Sequence, residues 1–336
     1  MFHVIGRMFW SFEVAKKFNQ LLTDTKPDLI HIHNIYHQLS PSLLSVAKRH
    51  GIPVVMTVHD YKLIWPDYLL CGYAPGASYW NVVRQRCTKG SYMKSALVVL
   101  EKMFHDWLSV YQKNIDLFLA PSEFVKEKLI VGGYDEKKIR VLPHFIEVIK
   151  SKVNSQKSTV KAPLSILYFG RLSKEKGVDI LLDMMQNIGS GVELRIAGEG
   201  PELESLKSKV QSRKLAVRFL GRLDQEKLQH EIDRATFVVA PSIVPETFGY
   251  SILESFARGK TVIASRIGAF PELVADGKNG FLIPPGDVKS FGEKAMYLVA
   301  HPRERKDLEK HALVSAKQYT AERHAVALLG YYHDML

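Results

Sequence analysis

Short apolar segments alternate with amphipathic stretches along most of the chain. In the first half, residues 28–33, 54–58, 116–120 and 139–142 form short runs rich in β-branched or apolar side chains, which predict strands. Apolar residues between these runs recur with a period near 3.6, which is typical of helices. Alternating strands and helices favour βα units that build a parallel sheet.

Helices of the first half follow from this periodicity. Residues 4–22 predict the first helix, and Ser40-Pro41 begins a second, with serine as N-cap and proline in the first turn. Residues 94–114 predict a third, and most of its large apolar side chains are expected in the core, namely Met103, Phe104, Trp107, Leu108 and Tyr111. Ser122 is expected to cap a fourth.

The second half repeats the pattern more regularly. Its predicted strands are residues 165–169, 192–197, 217–220, 237–240 and 262–264, with a short extended segment at 280–283. Helices are predicted between the strands, and residues 287–300 and 303–333 close the chain as helices.

Residues 148–163 interrupt the pattern, because Ser, Lys, Asn and Gln replace apolar side chains there. Such a segment is typical of a domain linker, and a length of 336 residues suits two domains. We therefore predict one α/β domain over residues 1–147 and a second over residues 164–318. Residues 319–336 are expected to form a helix that packs back on the first domain.

The charge is basic, with 46 Lys and Arg against 35 Asp and Glu, a net charge of +11. The surplus is shared between the two halves, and no block of consecutive Lys and Arg suggests a nucleic-acid arm. A diffuse positive field suits phosphorylated small molecules or an anionic membrane surface. Solubility alone is an equally good explanation of the surplus.

The cysteine content and the apolar runs limit the class of protein. Cys71 and Cys87 lie in the long irregular stretch 61–92, and a loop of that length is usually functional or mobile. Two cysteines are too few for a disulfide framework or a four-thiolate zinc site, so both are expected to be free. No apolar run approaches ~20 residues, and the first residues are too mixed for a signal peptide. A reduced, cytosolic protein is the resulting expectation.

The strand at 165–169 runs into Gly170, and a glycine at a strand end lets a ligand approach the backbone. Arg171 and Lys176 follow on the next loop and helix start. Two cations beside a helix N-terminus suit a diphosphate. By themselves, however, they are more typical of an exposed loop.

A second group of residues follows the strand at 237–240. Gly249 permits close backbone approach, and the free amides of a helix that starts near it would face an anion. Glu246 and Glu254 lie on either side of this glycine. Carboxylates beside a phosphate are unfavourable unless they bind hydroxyl groups, so the pair indicates a sugar or ribose. Combined with the two cations, a ligand site is favoured over acids that merely complement a helix dipole.

A longer series of motifs contains these residues. In the second half it comprises Gly170-Arg171-Leu172, Lys176-Gly177, 197–201, 219–221, Pro241-Ser242, Glu246 with Glu254, 254–259, 268–272, 279–282 and Gly286-Asp287. In the first half it comprises 28–33, 53–55, Val58-His59-Asp60 and Ala120-Pro121-Ser122. The series resembles the retaining, nucleotide-sugar-dependent glycosyltransferases of the group 1 or family 4 type. That group includes glycogen synthase and bacterial polysaccharide mannosyl- and glucosyltransferases.

The resemblance implies the GT-B fold class, two Rossmann-like α/β domains with a central cleft, and it assigns roles to single residues. The donor diphosphate would contact Gly170, Arg171, Lys176, Gly249 and Tyr250. The ribose and the transferred sugar would contact Glu246, Phe248 and Glu254, and the base would lie near Arg222 and Leu223. The catalytic candidates would be His59, facing the sugar across the cleft, and Glu246. Without the resemblance, His59 is more typical of a capping or core histidine.

The resemblance also implies a mechanism and the absence of a cofactor. Enzymes of this type are thought to retain configuration by front-face attack, with the leaving phosphate taking the acceptor proton through an oxocarbenium-like transition state. The sequence contains no Asp-x-Asp pair for a catalytic divalent ion. Arg171, Lys176 and a helix dipole are therefore expected to replace the metal, so that activity persists in chelator.

The beginning of the chain departs from the family pattern, which opens with a strand and a glycine-rich loop. Here Gly6 is the only glycine before Gly51, and no strand-like run precedes Asp28. The first domain is therefore expected to lack its leading strand and glycine-rich loop. A truncated reading frame and a shortened first domain are the two explanations.

Several functions remain open at this point. The leading one is transfer of a hexose from a nucleotide diphosphate sugar to a glycan or lipid-linked acceptor, in the cytoplasm and with peripheral contact at the inner face of a membrane. The basic loop and the helix near 94–114 are the expected contact surface, and no nucleic acid is expected. A catalytically impaired nucleotide-sugar-binding fragment and a sugar-nucleotide epimerase are the alternatives. A dinucleotide dehydrogenase is disfavoured, because Gly198-Glu199-Gly200 lacks the third glycine of that fingerprint.

Overall fold

The computed structural model describes residues 2–74, 76–147, 164–188 and 191–336. The chain divides into two compact units, one formed by Met1–Pro143 with His324–Leu336 and the other by His144–Arg323. The predicted linker, residues 148–163, lies outside the described residues. Each unit has its own parallel sheet and its own apolar core.

In the described part of the first unit, a four-stranded parallel sheet has the order β1-β2-β3-β4. Its strands are β1 (Ile30–His33), β2 (Val54–Thr57), β3 (Leu117–Ala120) and β4 (Ile139–Val141). The helices are α1 (Phe2–Phe9), α2 (Phe12–Thr25), α3 (Tyr36–Leu39), α4 (Ser42–Arg49), α5 (Trp80–Arg84), α6 (Tyr92–Leu108), α7 (Val110–Asn114) and α8 (Glu123–Val131). A 3-10 turn covers Glu136–Lys138. All four predicted strands are therefore present.

Two predicted helices of this unit are each divided in the structure. The helix predicted at 4–22 breaks between α1 and α2, where the Ser11 hydroxyl accepts a hydrogen bond from Val14 N at 3.3 Å and caps the second helix. The helix predicted at 94–114 breaks at Ser109, whose φ of +51° ends α6. The cap predicted at Ser122 is confirmed, since its hydroxyl accepts from Val125 N. Ser40 does not cap α4 in the predicted way, because Pro41 stands in the N-cap position.

The core face predicted for residues 94–114 is confirmed only in part: Phe104 and Leu108 are half-buried. Tyr111 is buried, but Met103 and Trp107 are 45% and 79% exposed. Glu101, Lys102 and His105 lie on the buried side instead. The reason is a set of buried ion pairs that apolar periodicity does not reveal. Lys62 Nζ donates to Glu101 at 2.8 Å, Lys102 pairs with Asp106, and His105 bonds to the Phe9 carbonyl, so that each buried polar group has a partner.

The long stretch 61–92 is organised by a disulfide bond, which corrects the expectation of free cysteines. Cys71 and Cys87 are joined, with their Cα atoms 5.8 Å apart. Trp65 packs edge-on against Tyr73 and Tyr79, and its indole N–H donates to the Cys71 carbonyl at 2.8 Å. Compositional reasoning failed here because it counted cysteines and could not see which of them the fold brings together. The inference of a reducing compartment rested on free thiols and loses that support.

Replacing both cysteines with serine is expected to lower the free energy of unfolding by about 3 kcal/mol, because the bond closes a loop with a sequence separation of 16. Urea denaturation without reductant measures the difference. Dithiothreitol should destabilise the wild-type protein by a similar amount and leave the double variant unchanged. Two titratable thiols in the denatured, unreduced wild-type protein would contradict the pairing.

In the described part of the second unit, a six-stranded parallel sheet has the order β10-β9-β8-β5-β6-β7. Its strands are β5 (Leu164–Phe169), β6 (Val192–Ala197), β7 (Val217–Gly221), β8 (Phe237–Ala240), β9 (Val262–Ser265) and β10 (Gly280–Ile283). The helices are α9 (Val178–Met185), α10 (Leu203–Arg213), α11 (Gln225–Arg234), α12 (Tyr250–Ala257), α13 (Phe270–Leu273), α14 (Val288–Ala300) and α15 (Pro302–Ala316). A 3-10 turn covers Lys174–Lys176. Every strand predicted here is present within two residues.

The last helix, α16 (Ala321–His333), begins in the second unit and ends in the first. Its apolar side chains pack on one face of the first sheet, against Leu29, Val55, Leu117, Leu119 and Leu142. His324 also bonds to the Pro143 carbonyl at 2.8 Å. The first unit therefore contains residues from both ends of the chain.

Candidate functional site

The strand order of the second sheet creates a switch point at β5. From β5 the chain builds outward through β6 and β7, and it then returns to place β8 on the other side of β5. The loops that follow β5 and β8 diverge at this point, and ligands of open α/β sheets bind there, outside the carboxyl ends of the strands. The two loops are tied together, because Ile243 N donates to the Glu175 carbonyl at 2.9 Å.

Two predicted site residues from these loops meet directly. Lys176 Nζ donates to Glu246 Oε1 at 2.6 Å, although the residues are 70 positions apart. The Ser242 hydroxyl donates to the same oxygen at 2.5 Å. Both charged side chains remain partly accessible, at 30% for lysine and 19% for glutamate. Ser242 belongs to the Pro241-Ser242 motif, for which the sequence suggested no role. Its contact orients the carboxylate of Glu246.

Arg171 lies on the loop after β5. Its side chain is exposed and makes no hydrogen bond or ion pair with any residue that the structure describes. Its carbonyl is held, however, since the Tyr168 hydroxyl donates to it at 2.8 Å. Burial raises the pKa of Tyr168, and the nearby Glu246 and Glu175 raise it further, so this phenol keeps its proton. The backbone is fixed while the guanidinium is available to an anion.

Close packing of glycines shapes the floor of the site. A Cβ on Gly198 would lie 1.9 Å from the Gly170 carbonyl oxygen, so only glycine lets the loops after β5 and β6 touch. A pocket of about 430 Å³ opens beside them, lined by Phe169, Gly170, Arg171, Ala197, Gly198, Glu199, Arg222, Leu223 and Leu228. Arg222 and Leu223, the residues predicted to lie near the base, therefore share one pocket with Arg171.

The start of α12 has no side-chain cap. Gly249 occupies the N-cap position with a φ of +123°, and a Cβ there would lie 3.0 Å from Phe270 and Leu273 side-chain atoms. The first amides of the helix therefore lack a side-chain acceptor, and a helix N-terminus of this kind attracts anions. Phe248 and Tyr250, on either side of Gly249, are the other residues predicted here.

An aromatic cluster that sequence reasoning missed supports this turn. The His144 ring stacks on Tyr250 with centroids 5.3 Å apart and an interplanar angle of 12°. Phe248 packs edge-on against both rings, at 5.2 Å and 5.4 Å. No local pattern marks His144, because it follows a predicted strand 106 residues before Tyr250 and only the fold brings the two together. The cluster fixes the turn that carries Gly249.

Glu254 lies one turn into α12. Its carboxylate borders a smaller pocket of about 210 Å³ that Tyr250, Leu228 and Arg258 also line. Burial raises the pKa of the Glu254 carboxyl above its ordinary value, and the nearby carboxylate adds to the effect of burial in raising the pKa of Tyr250. A half-buried carboxylate lowers the stability of the empty protein. It suits a ligand whose hydroxyl groups donate hydrogen bonds to it.

Replacing Glu254 with glutamine is expected to stabilise the empty protein at neutral pH and weaken nucleotide binding. Because the folded-state pKa is raised, the wild-type fold binds this proton more tightly than the unfolded chain does, and it loses stability as the pH rises through that pKa. The stability difference between variant and wild type should therefore be small well below the ordinary value of 4.5 and grow towards pH 7. Urea denaturation across this range measures it.

The matched control is Glu226→Gln on the exposed surface of α11. This exposed control should leave the stability at pH 7 and the nucleotide affinity close to those of the wild type. A Glu254→Gln protein that is less stable than wild type at pH 7 would show that the carboxylate supports the fold rather than a ligand.

His59 lies in the first unit, two residues beyond β2. Its Nε2 is 2.8 Å from His33 Nδ1. Burial lowers the pKa of His59, and the neighbouring His33 lowers it further, so the ring is neutral near pH 7. Of the predicted site residues, this one belongs to the first unit and the others belong to the second.

No group of three or more His, Cys, Asp or Glu side chains in the described part of the chain is arranged to hold a metal ion. Likewise, none of the described helices is both long and apolar enough to cross a bilayer.

Comparison with known families matches both halves of the chain. Residues 2–149 match the model of Glycosyltransferase Family 4, and residues 150–313 match that of Glycosyl transferases group 1. Together the two models account for nearly the whole sequence, including every predicted site residue.

Individual relatives are distant. The chain is 26% identical to an uncharacterized 42.6 kDa protein in the cps region of Klebsiella pneumoniae, over 81% of this chain and 66% of that protein. It is 27% identical to the sulfoquinovosyl transferase SQD2 of Arabidopsis thaliana, over 84% of this chain and 52% of that protein. The chain thus spans about half to two thirds of the length of these curated relatives.

Solved structures show the same fold. Anabaena Alr3699/HepE in complex with UDP superposes with a TM-score of 0.72 at 20% identity, covering 96% of this chain and 82% of the other. Sucrose-phosphate synthase from Thermosynechococcus elongatus superposes with a TM-score of 0.71 at 20% identity, covering 96% and 77%. The predicted GT-B class, with two α/β domains and parallel sheets, is confirmed. With a family model matching each half, the chain belongs to the glycosyltransferases, its first half to family 4 and its second half to group 1.

Proposed function

We propose that the protein is a retaining glycosyltransferase that moves a hexose from a nucleotide diphosphate sugar to a glycan or lipid-linked acceptor in polysaccharide or glycolipid biosynthesis. The observation that carries this proposal is the Lys176–Glu246 pair at the switch point between β5 and β8. A cation, a partly accessible carboxylate and an uncapped helix start belong to the loops that follow these two strands. The Anabaena structures with UDP and with UDP-glucose support a nucleotide sugar as the donor class.

The donor site is proposed to work through complementary charges. Arg171, Lys176 and the start of α12 would hold the diphosphate, because cations and free backbone amides stabilise its negative charge. Glu254 would accept hydrogen bonds from the ribose hydroxyls. Glu246 would do the same for a hydroxyl of the transferred sugar, held in place by Ser242. The base would lie in the pocket that contains Arg222 and Leu223.

The proposed chemistry retains the configuration of the sugar. The bond between the anomeric carbon and the diphosphate oxygen breaks, the acceptor oxygen attacks from the same face, and the acceptor proton passes to the departing phosphate. Negative charge accumulates on the diphosphate in the transition state, and preorganised cations stabilise it there. Arg171 and Lys176 are proposed to do this without a divalent ion, and neutral His59 is proposed to face the sugar.

Incubation with a panel of UDP-, GDP- and ADP-sugars tests the proposal. Binding is measured by thermal shift and donor cleavage by release of the nucleoside diphosphate, each with and without EDTA. We expect one donor class to bind and to be cleaved at the same rate in chelator. Binding without any transfer would indicate a catalytically impaired protein, and a changed sugar on the intact nucleotide would indicate an epimerase. Failure of every donor to bind would exclude the proposed function.

We also propose a peripheral contact with the inner face of a membrane, through the exposed surface of α5 and α6. This surface carries the exposed side chains of Trp80, Tyr92, Met93, Leu100, Met103 and Trp107. Residues 80–100 also contain four exposed cations, Arg84, Arg86, Lys89 and Lys94, and no acid. Apolar and aromatic side chains beside cations suit anionic lipid, which is concentrated in the cytoplasmic leaflet.

Sedimentation with vesicles of phosphatidylcholine alone or with 30% phosphatidylglycerol tests this contact. Binding should need the anionic lipid, and Trp107→Glu should abolish it. Val131→Glu is the control, because Val131 is similarly exposed, at 70% against 79%, but lies on α8. Equal binding of both variants would contradict the proposed surface. Self-association of the wild type that Trp107→Glu abolishes, without vesicle binding, would assign the surface to a second copy instead.

A further inference from the structure

Two histidine rings are joined at the carboxyl edge of the first sheet. His33 is the last residue of β1, and the parallel register pairs it with Thr57, two residues before His59. His33 Nδ1 and His59 Nε2 are 2.8 Å apart, which is a hydrogen bond. The ring centroids are 5.1 Å apart and the planes are inclined by 28°, which fits two rings that meet edge to edge through this bond.

A third ring, His31, lies next to His33 on the same strand. His31 and His33 are two residues apart on a strand, so their side chains lie on the same face of the sheet, with ring centroids 4.4 Å apart. His31 Nε2 lies 2.7 Å from the Thr57 hydroxyl oxygen. Its Nδ1 lies 2.5 Å from the hydroxyl oxygen of Tyr332, on α16. Both ring nitrogens of His31 therefore have a hydrogen-bond partner. We call His31, His33 and His59 the imidazole column.

The imidazole column is uncharged near neutral pH. Burial lowers the pKa of His31 to about 4, with further lowering from His33, His59 and His324. Burial also lowers the pKa of His33. Between two neutral imidazoles, a hydrogen bond forms only when one facing nitrogen carries a proton and the other does not. The tautomer of His59 is therefore coupled to that of His33.

We propose that His33 is a positioning residue for His59, which holds that ring in one orientation and one tautomer. The proposal rests on the proposed function in one respect, namely that His59 faces the transferred sugar. A held imidazole presents a defined donor or acceptor at each nitrogen, whereas an unheld one exchanges between two tautomers. Preorganisation of this kind matters because a small misplacement of a reacting group is costly in rate.

If His33 only supported the fold, its loss would mainly lower the free energy of unfolding. His33 is partly buried but still reached by solvent, and His59 is half-buried. Water can therefore compete for their hydrogen bond, and its net contribution to stability is modest. Loss of the bond should therefore change the state of the His59 ring much more than it changes the free energy of unfolding. These two quantities are measurable independently of each other.

Long-range ¹H–¹⁵N NMR of the histidine rings tests the proposal without any assay of transfer. The variant His33→Phe keeps an aromatic ring and removes the hydrogen bond. His33→Asn restores a polar atom close to the position of His33 Nδ1. The control is His50→Phe, which removes another exposed histidine of the same unit, bonded to Asn19 at 2.9 Å.

In the wild type and in His33→Asn, we expect the His59 ring to show one dominant tautomer. In His33→Phe, we expect a mixture of tautomers and a pKa of His59 that moves towards the ordinary value of 6.5, while stability changes no more than in His50→Phe. An unchanged His59 tautomer and pKa in His33→Phe would overturn the proposal. So would a His33→Phe spectrum in which His59 changes only because the whole unit is destabilised.

Enzyme kinetics test the proposal independently of the NMR experiment. Where transfer is detected, His33→Phe should lower kcat roughly tenfold to a hundredfold and leave KM for the donor nearly unchanged. His33→Asn should recover most of the loss. If no variant, wild type included, shows transfer, the proposed function fails while the NMR result still decides the role of His33.

Tyr332 provides a second test of the imidazole column. Tyr332→Phe removes the hydroxyl that bonds to His31 and should shift the His31 ring resonances. Tyr331→Phe is the control, because that hydroxyl, on the same helix, bonds to the Val141 carbonyl at 3.4 Å and touches no histidine of the column. Equal effects of the two variants on the histidine spectra would show that α16 supports the unit as a whole rather than His31.

Discussion

Replacing Lys176 with glutamine is expected to lower kcat/KM for the nucleotide sugar on the order of a hundredfold to a thousandfold. The lysine is proposed to stabilise the charge that develops on the leaving diphosphate, and no metal ion is proposed to share that task. The variant also leaves Glu246 without its cation, since the two side chains form a hydrogen bond at 2.6 Å. Steady-state kinetics with the donor identified from the panel measures the effect.

The control for this variant lies on the same turn. Lys174→Gln removes an exposed lysine two residues earlier, so it changes the net charge equally and should leave kcat/KM within about twofold of wild type. Lys176→Arg keeps the charge and should lose less activity than the glutamine variant. Equal rates for Lys174→Gln and Lys176→Gln would show that Lys176 contributes only to the overall charge.

Replacing Gly268 with alanine is expected to lower the free energy of unfolding by about 3 kcal/mol and to abolish donor binding. Gly268 has a φ of +58°, and a Cβ would lie 2.3 Å from the amide nitrogen of Glu246 and 2.5 Å from its carbonyl oxygen. The Glu246 backbone must therefore move, which breaks the Ala269 N to Glu246 O hydrogen bond of 2.9 Å. Urea denaturation and donor binding measure the two losses.

Gly277→Ala is the control, because it measures the destabilisation from a left-handed backbone without a steric clash. Gly277 has a similar φ of +73°, but a Cβ there meets nothing within 4 Å. This control should lose only about 1 kcal/mol, from the left-handed conformation, and should bind the donor normally. If the two alanine variants lose the same stability, the close approach of Gly268 to Glu246 is not a constraint on the site.

Local sequence patterns correctly placed the residues that directly follow strands. Gly170 and Arg171 follow β5, and His59 follows β2, so finding the strands was enough to place these residues at the carboxyl edges of parallel sheets. The strands were found because buried parallel strands are short, apolar and β-branched along their whole length. Such segments are recognisable without knowledge of their neighbours.

Local reasoning failed where a residue's state depends on a distant partner. Apolar periodicity placed Met103 and Trp107 in the core and missed Glu101, because its pairing with Lys62 permits a charged residue to be buried. Counting cysteines suggested free thiols, whereas the fold of stretch 61–92 joins Cys71 to Cys87. In both cases the deciding contact is between residues whose proximity no local pattern encodes.

The sequence by itself determined the fold class, the order of the strands along the chain and the chemical types of the residues proposed for the donor site. Propensity and periodicity are local properties, and the site motifs lie within short segments. Only the tertiary structure decided that Lys176 and Ser242 both hold Glu246, that His144 stacks on Tyr250, and that Tyr332 reaches His31 from the other end of the chain. These contacts join segments that the sheet order brings together, and hydrogen-bond geometry at distances of about 3 Å is fixed only when both partners have been placed.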